Sequence, residues 1–231
     1  MTEHLDPPPR PEALPERTSA DASYGCDDLI LRPGSWIVRI YSHAGRHPQR
    51  WWEFRQTEIP SPGRFDAFDA VGVDGVCYLA IRSADERADP AEPSATSALP
   101  TCLAEVLQNR PVLDRLDERS LVIARLTSVV TVLDASSDWA ARAGAGAHLS
   151  TAPKHLTSQW ATAIAQRWPD LHGMTWISSV RPQGRALALW SPRARQQLAG
   201  AELFVHRSLA DPSIRPELSW AASMLGAQIE P

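Results

Sequence analysis

The sequence has 231 residues, of which 43% are hydrophobic, so it is long enough for one ordinary domain with a sizeable core. Its formal net charge of -4 and its scattered basic residues argue against a nucleic-acid-binding protein. Three cysteines without CxxC or Cys/His spacing exclude a disulfide framework and a zinc site and fit a reducing cytoplasm. No apolar run approaches the roughly 20 residues that span a bilayer, and the acidic, proline-rich N-terminus is unlike a signal peptide. A cytoplasmic location is therefore expected.

The first 32 residues contain five prolines between positions 7 and 15, among charged and small residues. Such a segment lacks the apolar groups that would offset the entropy lost on ordering. The composition predicts a mostly disordered tail over residues 1–32, and an arm that orders on a partner is the alternative.

The folded body, expected over residues 33–231, opens with a β-branched and aromatic run at residues 36–41. This composition is typical of a strand. Alternation places Arg39 on the opposite face of the strand from Val38 and Ile40.

The middle of the chain alternates between strand and helix patterns. Residues 76–80 are almost continuously apolar, which predicts a strand buried on both faces. Residues 84–98 are rich in Ala, Asp, Glu, Pro and Ser and are interpreted as a solvated surface insertion. A helix is predicted from Pro100 to about Arg110, and residues 121–134 indicate one long strand or two short ones.

The C-terminal half continues this alternation. Helices are predicted at residues 139–143, from Ser150 or Thr151 to just before Trp168, and around residues 218–225. Strands are predicted at residues 174–178, 186–190 and 202–206, with a hairpin-like turn at residues 181–184 between the first two. Because strands and helices are interleaved without regular βαβ spacing, an α+β fold is favoured over a doubly wound sheet.

Three side chains in the first half of the chain are candidates for a site. An arginine inside a strand, such as Arg39, needs a partner or an exit to water, and a solvated edge strand is the alternative to a functional role. Arg64 follows the turn Pro60-Ser61-Pro62-Gly63, from which a side chain can project into a cleft or simply into solvent. Tyr78 lies in a strand predicted to be buried, where a core tyrosine with one hydrogen bond is the common case.

Glu105 and a serine pair complete the candidates. The residues around Glu105 in its predicted helix are all apolar, so its carboxylate either pairs with an arginine or belongs to a site. Ser178 and Ser179 end a strand, where a hydroxyl can face a pocket. The sequence contains no GxGxxG after a strand, no GxxxxGK[ST] and no GxSxG, so the phosphate-cradling nucleotide folds and a hydrolase elbow lack support. The seven histidines show no HExxH or paired ligand spacing, so no metal ligand set is predicted.

Taken in order, these features resemble a RES domain, a family named for an arginine, a glutamate and a serine. The matching segments are Arg39-Ile40-Tyr41, Gly63-Arg64-Phe65-Asp66, Tyr78-Leu79-Ala80, Leu103-Ala104-Glu105-Val106 and Gly173-Met174-Thr175-Trp176-Ile177-Ser178. The similarity covers about residues 36–200, and a helical extension follows it.

The sequence departs from the usual family pattern at several positions. Trp176 stands where a tyrosine is usual, and Asp66 replaces the commoner asparagine. The interval from Tyr78 to Glu105 is longer than in compact members. The register of the last segment assigns the family serine to Ser178 rather than to Ser179.

The resemblance implies an ADP-ribosyltransferase-like fold with a mixed, split β-sheet flanked by helices. It also implies phosphorolysis of NAD⁺ to nicotinamide and ADP-ribose 1″-phosphate, with phosphate as co-substrate and no further cofactor. Members act as toxins beside an antitoxin protein, which would be the partner here.

The same resemblance implies the role of each candidate. Glu105 would stabilise an oxocarbenium-like ribosyl centre, for which a carboxylate is suited. Arg39 and Arg64 would hold the pyrophosphate or the attacking phosphate, Tyr78 would pack on nicotinamide or ribose, and Ser178 would add a polar contact. The alternatives are an ADP-ribosyltransferase or an NAD⁺ glycohydrolase with the same residues, and a non-catalytic binding module.

Overall fold

A computed structural model describes residues 5–18, 26–45, 48–56, 63–82, 98–108 and 110–230. Within these ranges the chain forms an α+β fold. The strands are β1 (Asp28–Leu31), β2 (Trp36–Ser42), β3 (Gly75–Arg82), β4 (Val112–Leu113), β5 (Arg119–Arg125), β6 (Val130–Asp134), β7 (Gly173–Ile177), β8 (Arg185–Ser191), β9 (Glu202–Ser208) and β10 (Gln228–Ile229). The α-helices are α1 (Leu99–Leu107), α2 (Asp138–Arg142), α3 (His148–Thr151), α4 (Lys154–Arg167), α5 (Arg195–Ala199) and α6 (Arg215–Met224).

A large mixed sheet forms the centre of the molecule. In the described residues it has eight strands in the order β1-β6-β7-β8-β3-β2-β5-β9. β6 and β7 pair in parallel and the other neighbours pair antiparallel. β4 and β10 form a separate parallel pair. The α+β class expected from the interleaved pattern is confirmed.

The two faces of this sheet carry different layers. One face, here called the helix face, bears Val38 and Tyr78 and packs against α1, α4 and α6. The other, here called the loop face, bears Ile37 and Cys77 and packs against residues 48–56 and α5. Side chains alternate between the two faces along each strand, as the strand geometry requires. Apolar layers on both faces explain why residues 76–80 are almost continuously apolar.

Most predicted elements occur where the pattern placed them. The strand at residues 36–41 is β2, and residues 121–134 form two strands, β5 and β6. The hairpin-like turn at residues 181–184 joins the antiparallel pair β7 and β8.

The start of α4 is a correction. The helix predicted from Ser150 or Thr151 begins at Lys154, after the short helix α3. Ala152 is extended, with φ -61° and ψ 164°, because it precedes Pro153 and the proline ring disfavours the helical conformation there. The helix ends before Trp168, as expected.

The N-terminal segment is a second correction. Residues 1–4 and 19–25 lie outside the described ranges, but residues 5–18 pack on the body, with Leu5 and Leu14 each 3% exposed. Trp160 Nε1 donates to the backbone oxygen of Asp6, and Trp139 Nε1 donates to that of Pro15, both at 2.9 Å. These contacts compensate the ordering entropy on which the prediction of a tail was based.

The domain boundary moves accordingly, because β1 lies before residue 33 and pairs with β6. Of the insertion predicted at residues 84–98, residues 84–97 lie outside the described ranges, and Ala98 is buried at the start of α1. Among the described helices, none combines the length and apolarity needed to cross a bilayer.

Candidate active site

An open cleft of about 630 Å³ lies on the helix face. Strands β2, β3, β7 and β8 form its floor, α1 forms one wall, and the start of α4 and the segment at Gly63 complete it. Its volume is within the range of small-molecule binding sites. Of the five residues predicted from the sequence, Arg64, Tyr78 and Glu105 line this cleft.

Glu105 reaches the cleft from α1, whose buried side is formed by Leu103, Leu107 and other apolar residues. Its Oε1 atom is buried and accepts no hydrogen bond from the described part of the chain. No basic group of the described residues lies within ion-pair distance of this carboxylate, so the salt-bridge alternative is not observed there. A buried acceptor without a donor costs free energy that a ligand can recover.

Arg64 lines the same cleft as Glu105. Its Nη1 donates to the backbone oxygen of Ala152 at 2.7 Å, immediately before α4. Burial lowers the pKa of Arg64, and the negative charge of Glu105 opposes that shift. The two charges therefore interact electrostatically, but they do not form a contact ion pair in the described structure.

Tyr78 is fixed in the cleft floor by a buried network. Its hydroxyl donates to Asp66 Oδ1 at 2.7 Å and accepts from the backbone N–H of Phe65 at 3.0 Å. Burial, together with the Asp66 charge, raises the pKa of Tyr78 well above its usual value. A side chain on Gly63 would clash, because its Cβ would lie 2.3 Å from the Tyr78 hydroxyl oxygen.

The same network adds Arg55, which the sequence did not single out. Arg55 lines the cleft and forms an ion pair with Asp66, whose side chain is 1% exposed. The Arg55 guanidinium carbon lies 5.7 Å from the centre of the Tyr78 ring. Asp66, a residue of the predicted turn, thus holds both the Arg55 guanidinium and the Tyr78 ring at the cleft.

Arg39 is not at the cleft, contrary to the prediction of a substrate contact. It projects to the loop face and is 5% exposed. Its Nη1 donates to the backbone oxygens of Trp51 and Glu53, the latter at 2.9 Å, and its Nη2 donates to Gln49 Oε1 at 3.2 Å. Alternation in β2 explains the difference, because Ile40 lines the cleft and its neighbour must point away.

Ser178 also differs from the prediction. It is 1% exposed, and its hydroxyl accepts from the backbone N–H groups of Val180 and Arg181 at 3.3 and 3.1 Å. The serine that lines the cleft is Ser179. The spacing of the family motif pointed to Ser178, but β7 ends at Ile177 and it is Ser179, in the turn that follows, that lines the cleft.

Two further residues of the cleft were not predicted as site residues. Trp176, noted only as a departure from the family pattern, lies with its ring centre 6.3 Å from that of Tyr78, at an interplanar angle of 80°. Lys154, the first residue of α4, is the only lysine in the sequence. Its rarity in the sequence was the signal that could have identified it as a site residue. No group of three or more potential metal-ligating side chains is found in the described ranges.

Comparisons with known proteins support the fold. No protein-family model matches the chain, and no curated protein matches its sequence. The structure is similar to a chain in the crystal structure of the M. tuberculosis MbcT-MbcA toxin–antitoxin complex, with a TM-score of 0.50. The two chains are 14% identical, and the match covers 82% of this chain and 91% of that chain. At this identity the similarity shows the fold, and the α+β sheet described above is therefore shared with a chain of that complex.

Proposed function

We propose that the protein is a RES-type enzyme that degrades NAD⁺ by phosphorolysis and acts as the toxin of a toxin–antitoxin pair. The observation that carries the proposal is Glu105, a carboxylate that lines a cleft containing cations and aromatic rings and whose buried Oε1 atom lacks a donor in the described chain. A carboxylate in that position is suited to a substrate whose reacting centre becomes positively charged.

The reaction meets this requirement. The bond between ribosyl C1″ and the nicotinamide nitrogen breaks, and its electron pair returns to nitrogen, which neutralises the leaving group. A phosphate oxygen then forms the new bond to C1″, giving ADP-ribose 1″-phosphate. Since nicotinamide leaves as a neutral molecule, no general acid is needed, and Glu105 has the single task of stabilising the oxocarbenium-like centre.

The other cleft residues take the remaining parts of the substrate. Arg64 is suited to the pyrophosphate, because a guanidinium forms paired, charge-assisted hydrogen bonds with phosphate oxygens. Tyr78 and Trp176 provide aromatic surfaces for nicotinamide or ribose. Arg39, held on the loop face, has no part in this proposal.

The antitoxin partner is proposed from the fold. The similar chain comes from a toxin–antitoxin complex, which gives such a pairing a precedent on this architecture. Induced expression of the wild-type chain should arrest growth and deplete cellular NAD⁺, whereas Glu105→Gln expressed to the same level should do neither. Equal arrest by both chains would contradict an NAD⁺-dependent toxin.

The decisive experiment incubates purified protein with NAD⁺ in phosphate buffer and in a phosphate-free buffer of equal ionic strength. Nicotinamide release is followed, and the ribosyl product is identified by mass. Phosphate-dependent release with a phosphorylated ADP-ribose is expected. Release of ADP-ribose without phosphate would indicate a glycohydrolase, a modified macromolecule would indicate a transferase, and no release by folded protein would favour a binding module.

A further inference from the structure

We infer that Lys154 binds the attacking phosphate and thereby selects phosphorolysis over hydrolysis; this inference rests on the proposed function. The starting point is compositional. Of the 23 basic residues in the chain, all but Lys154 are arginines, and this one ammonium group lies in the cleft.

The position of Lys154 relative to Glu105 supports the assignment. Lys154 Nζ lies 3.5 Å from Gln108 Oε1, and Gln108 is the left-handed residue directly after α1. Glu105 lies in the last turn of the same helix, and both Lys154 and Glu105 line the cleft. No ion pair between the ammonium group and the carboxylate is present in the described structure.

The hydrogen-bond partners leave the cationic charges available. In the described residues, Lys154 contacts a neutral amide oxygen and Arg64 contacts a neutral backbone oxygen. Neither contact neutralises a positive charge. Both cations line the cleft, so an anion that enters it can gain charge-assisted hydrogen bonds from them.

The chemistry of the two cations separates their roles. The planar fork of Arg64 suits the pyrophosphate, whose oxygens keep their positions during the reaction. The phosphate nucleophile must instead move towards C1″ as the new bond forms. An ammonium group on a flexible stem, with three donors that rotate, can follow that movement.

Kinetics test the assignment. Lys154→Met should raise the KM for phosphate about tenfold, the loss expected for one charge-assisted hydrogen bond, and leave the KM for NAD⁺ within about twofold. Phosphate-independent hydrolysis should become a larger fraction of the nicotinamide released. Arg110→Met, which removes an equal charge from an exposed position beyond α1, is the matched control and should leave both constants unchanged. An unchanged phosphate KM in Lys154→Met would overturn the inference while leaving phosphorolysis intact.

A binding measurement separates this inference from the proposed function. Because Lys154 is the sole lysine, an amine-selective reagent can modify only this side chain and the terminal α-amino group, which serves as an internal control. Inorganic phosphate, compared with chloride at equal ionic strength, should slow labelling of Lys154 severalfold and leave the α-amino group unaffected. Equal protection of both amines, or of neither, would overturn the inference, whether or not NAD⁺ is phosphorolysed.

Discussion

Arg39 and Arg64 lie on opposite faces of the same sheet, although each matches an arginine of the family pattern. The sequence singled out Arg39 because it lies inside a strand and Arg64 because it follows a turn. On the loop face, Arg39 is surrounded by backbone and amide oxygens that occupy its donors. On the helix face, Arg64 makes one hydrogen bond to the described chain and is directed at a cleft.

The difference shows that the role of a buried arginine depends on which groups accept its hydrogen bonds. Carbonyl oxygens of residues 50–53 turn Arg39 into a structural brace for a segment without regular structure. Arg64 lines the cleft and makes a single hydrogen bond to the described chain, so it remains available for a ligand. Four substitutions test this division between the two faces.

The largest effect is expected for Glu105→Gln on the helix face. Removing the negative charge should lower the rate of NAD⁺ loss by about 100-fold or more, the usual effect of losing a transition-state electrostatic contact. The melting temperature should be unchanged or raised, because the buried Glu105 oxygen lacks a donor in the described chain. Activity above about a tenth of the wild-type rate would remove Glu105 from the catalytic role.

Arg39→Ala on the loop face should mainly affect stability. Loss of its hydrogen bonds leaves buried carbonyl oxygens without a donor and should cost about 3 kcal/mol in the free energy of unfolding. At 2–4 °C per kcal/mol, this corresponds to a melting temperature about 10 °C lower.

The control for Arg39→Ala is Arg50→Ala, a neighbouring exposed arginine. It should change the melting temperature by only about a degree. The fraction of the Arg39→Ala protein that stays folded should bind NAD⁺ with unchanged affinity. A weakened affinity without loss of stability would return Arg39 to the site and contradict the division between the faces.

Arg64→Ala should have the reverse effect. The KM for NAD⁺ should rise about tenfold, as expected when one charge-assisted contact to the pyrophosphate is lost. Unfolding should change little, because the guanidinium makes a single hydrogen bond to the described chain. An unchanged apparent affinity for NAD⁺ would refute its assignment to the substrate.

Tyr78→Phe should give the smallest effect of the four. The ring remains in the cleft floor, but Asp66 loses the hydroxyl donor and the Phe65 N–H loses its acceptor. We expect a loss of about 1 kcal/mol in stability and a change in NAD⁺ affinity below about threefold. A much larger loss of affinity, measured at equal stability, would show that the hydroxyl itself contacts the substrate.

The sequence predicted the strands and helices well where hydrophobic periodicity was strong. β2, β3 and the C-terminal end of α4 occur as expected, because alternation and proline positions act locally. Local rules alone did not assign Arg64, Tyr78 and Glu105 to one site. That assignment required the family pattern.

Two of the three features that the sequence did not reveal depend on contacts between distant residues. The brace around Arg39 requires the path of the loop at residues 49–53, and the role of Ser178 depends on where β7 stops. Arg55 reaches the cleft because Asp66 holds it there, which no spacing rule encodes. For Arg39 and Arg55 the deciding partner is distant in the sequence, whereas Ser178 is held by the nearby backbone N–H groups of Val180 and Arg181.

The docked N-terminal segment has a consequence for how the chain folds as it is synthesised. The hydrogen bond between Trp160 and Asp6 spans 154 positions, and that between Trp139 and Pro15 spans 124. The segment leaves the ribosome well before Trp139 and Trp160, so it has no binding surface until those residues have followed. Contacts of such long range are slow to form, because closing so long a loop costs chain entropy before the contact repays it. The segment at residues 5–18 is therefore expected to be among the last parts of the described chain to reach its binding surface.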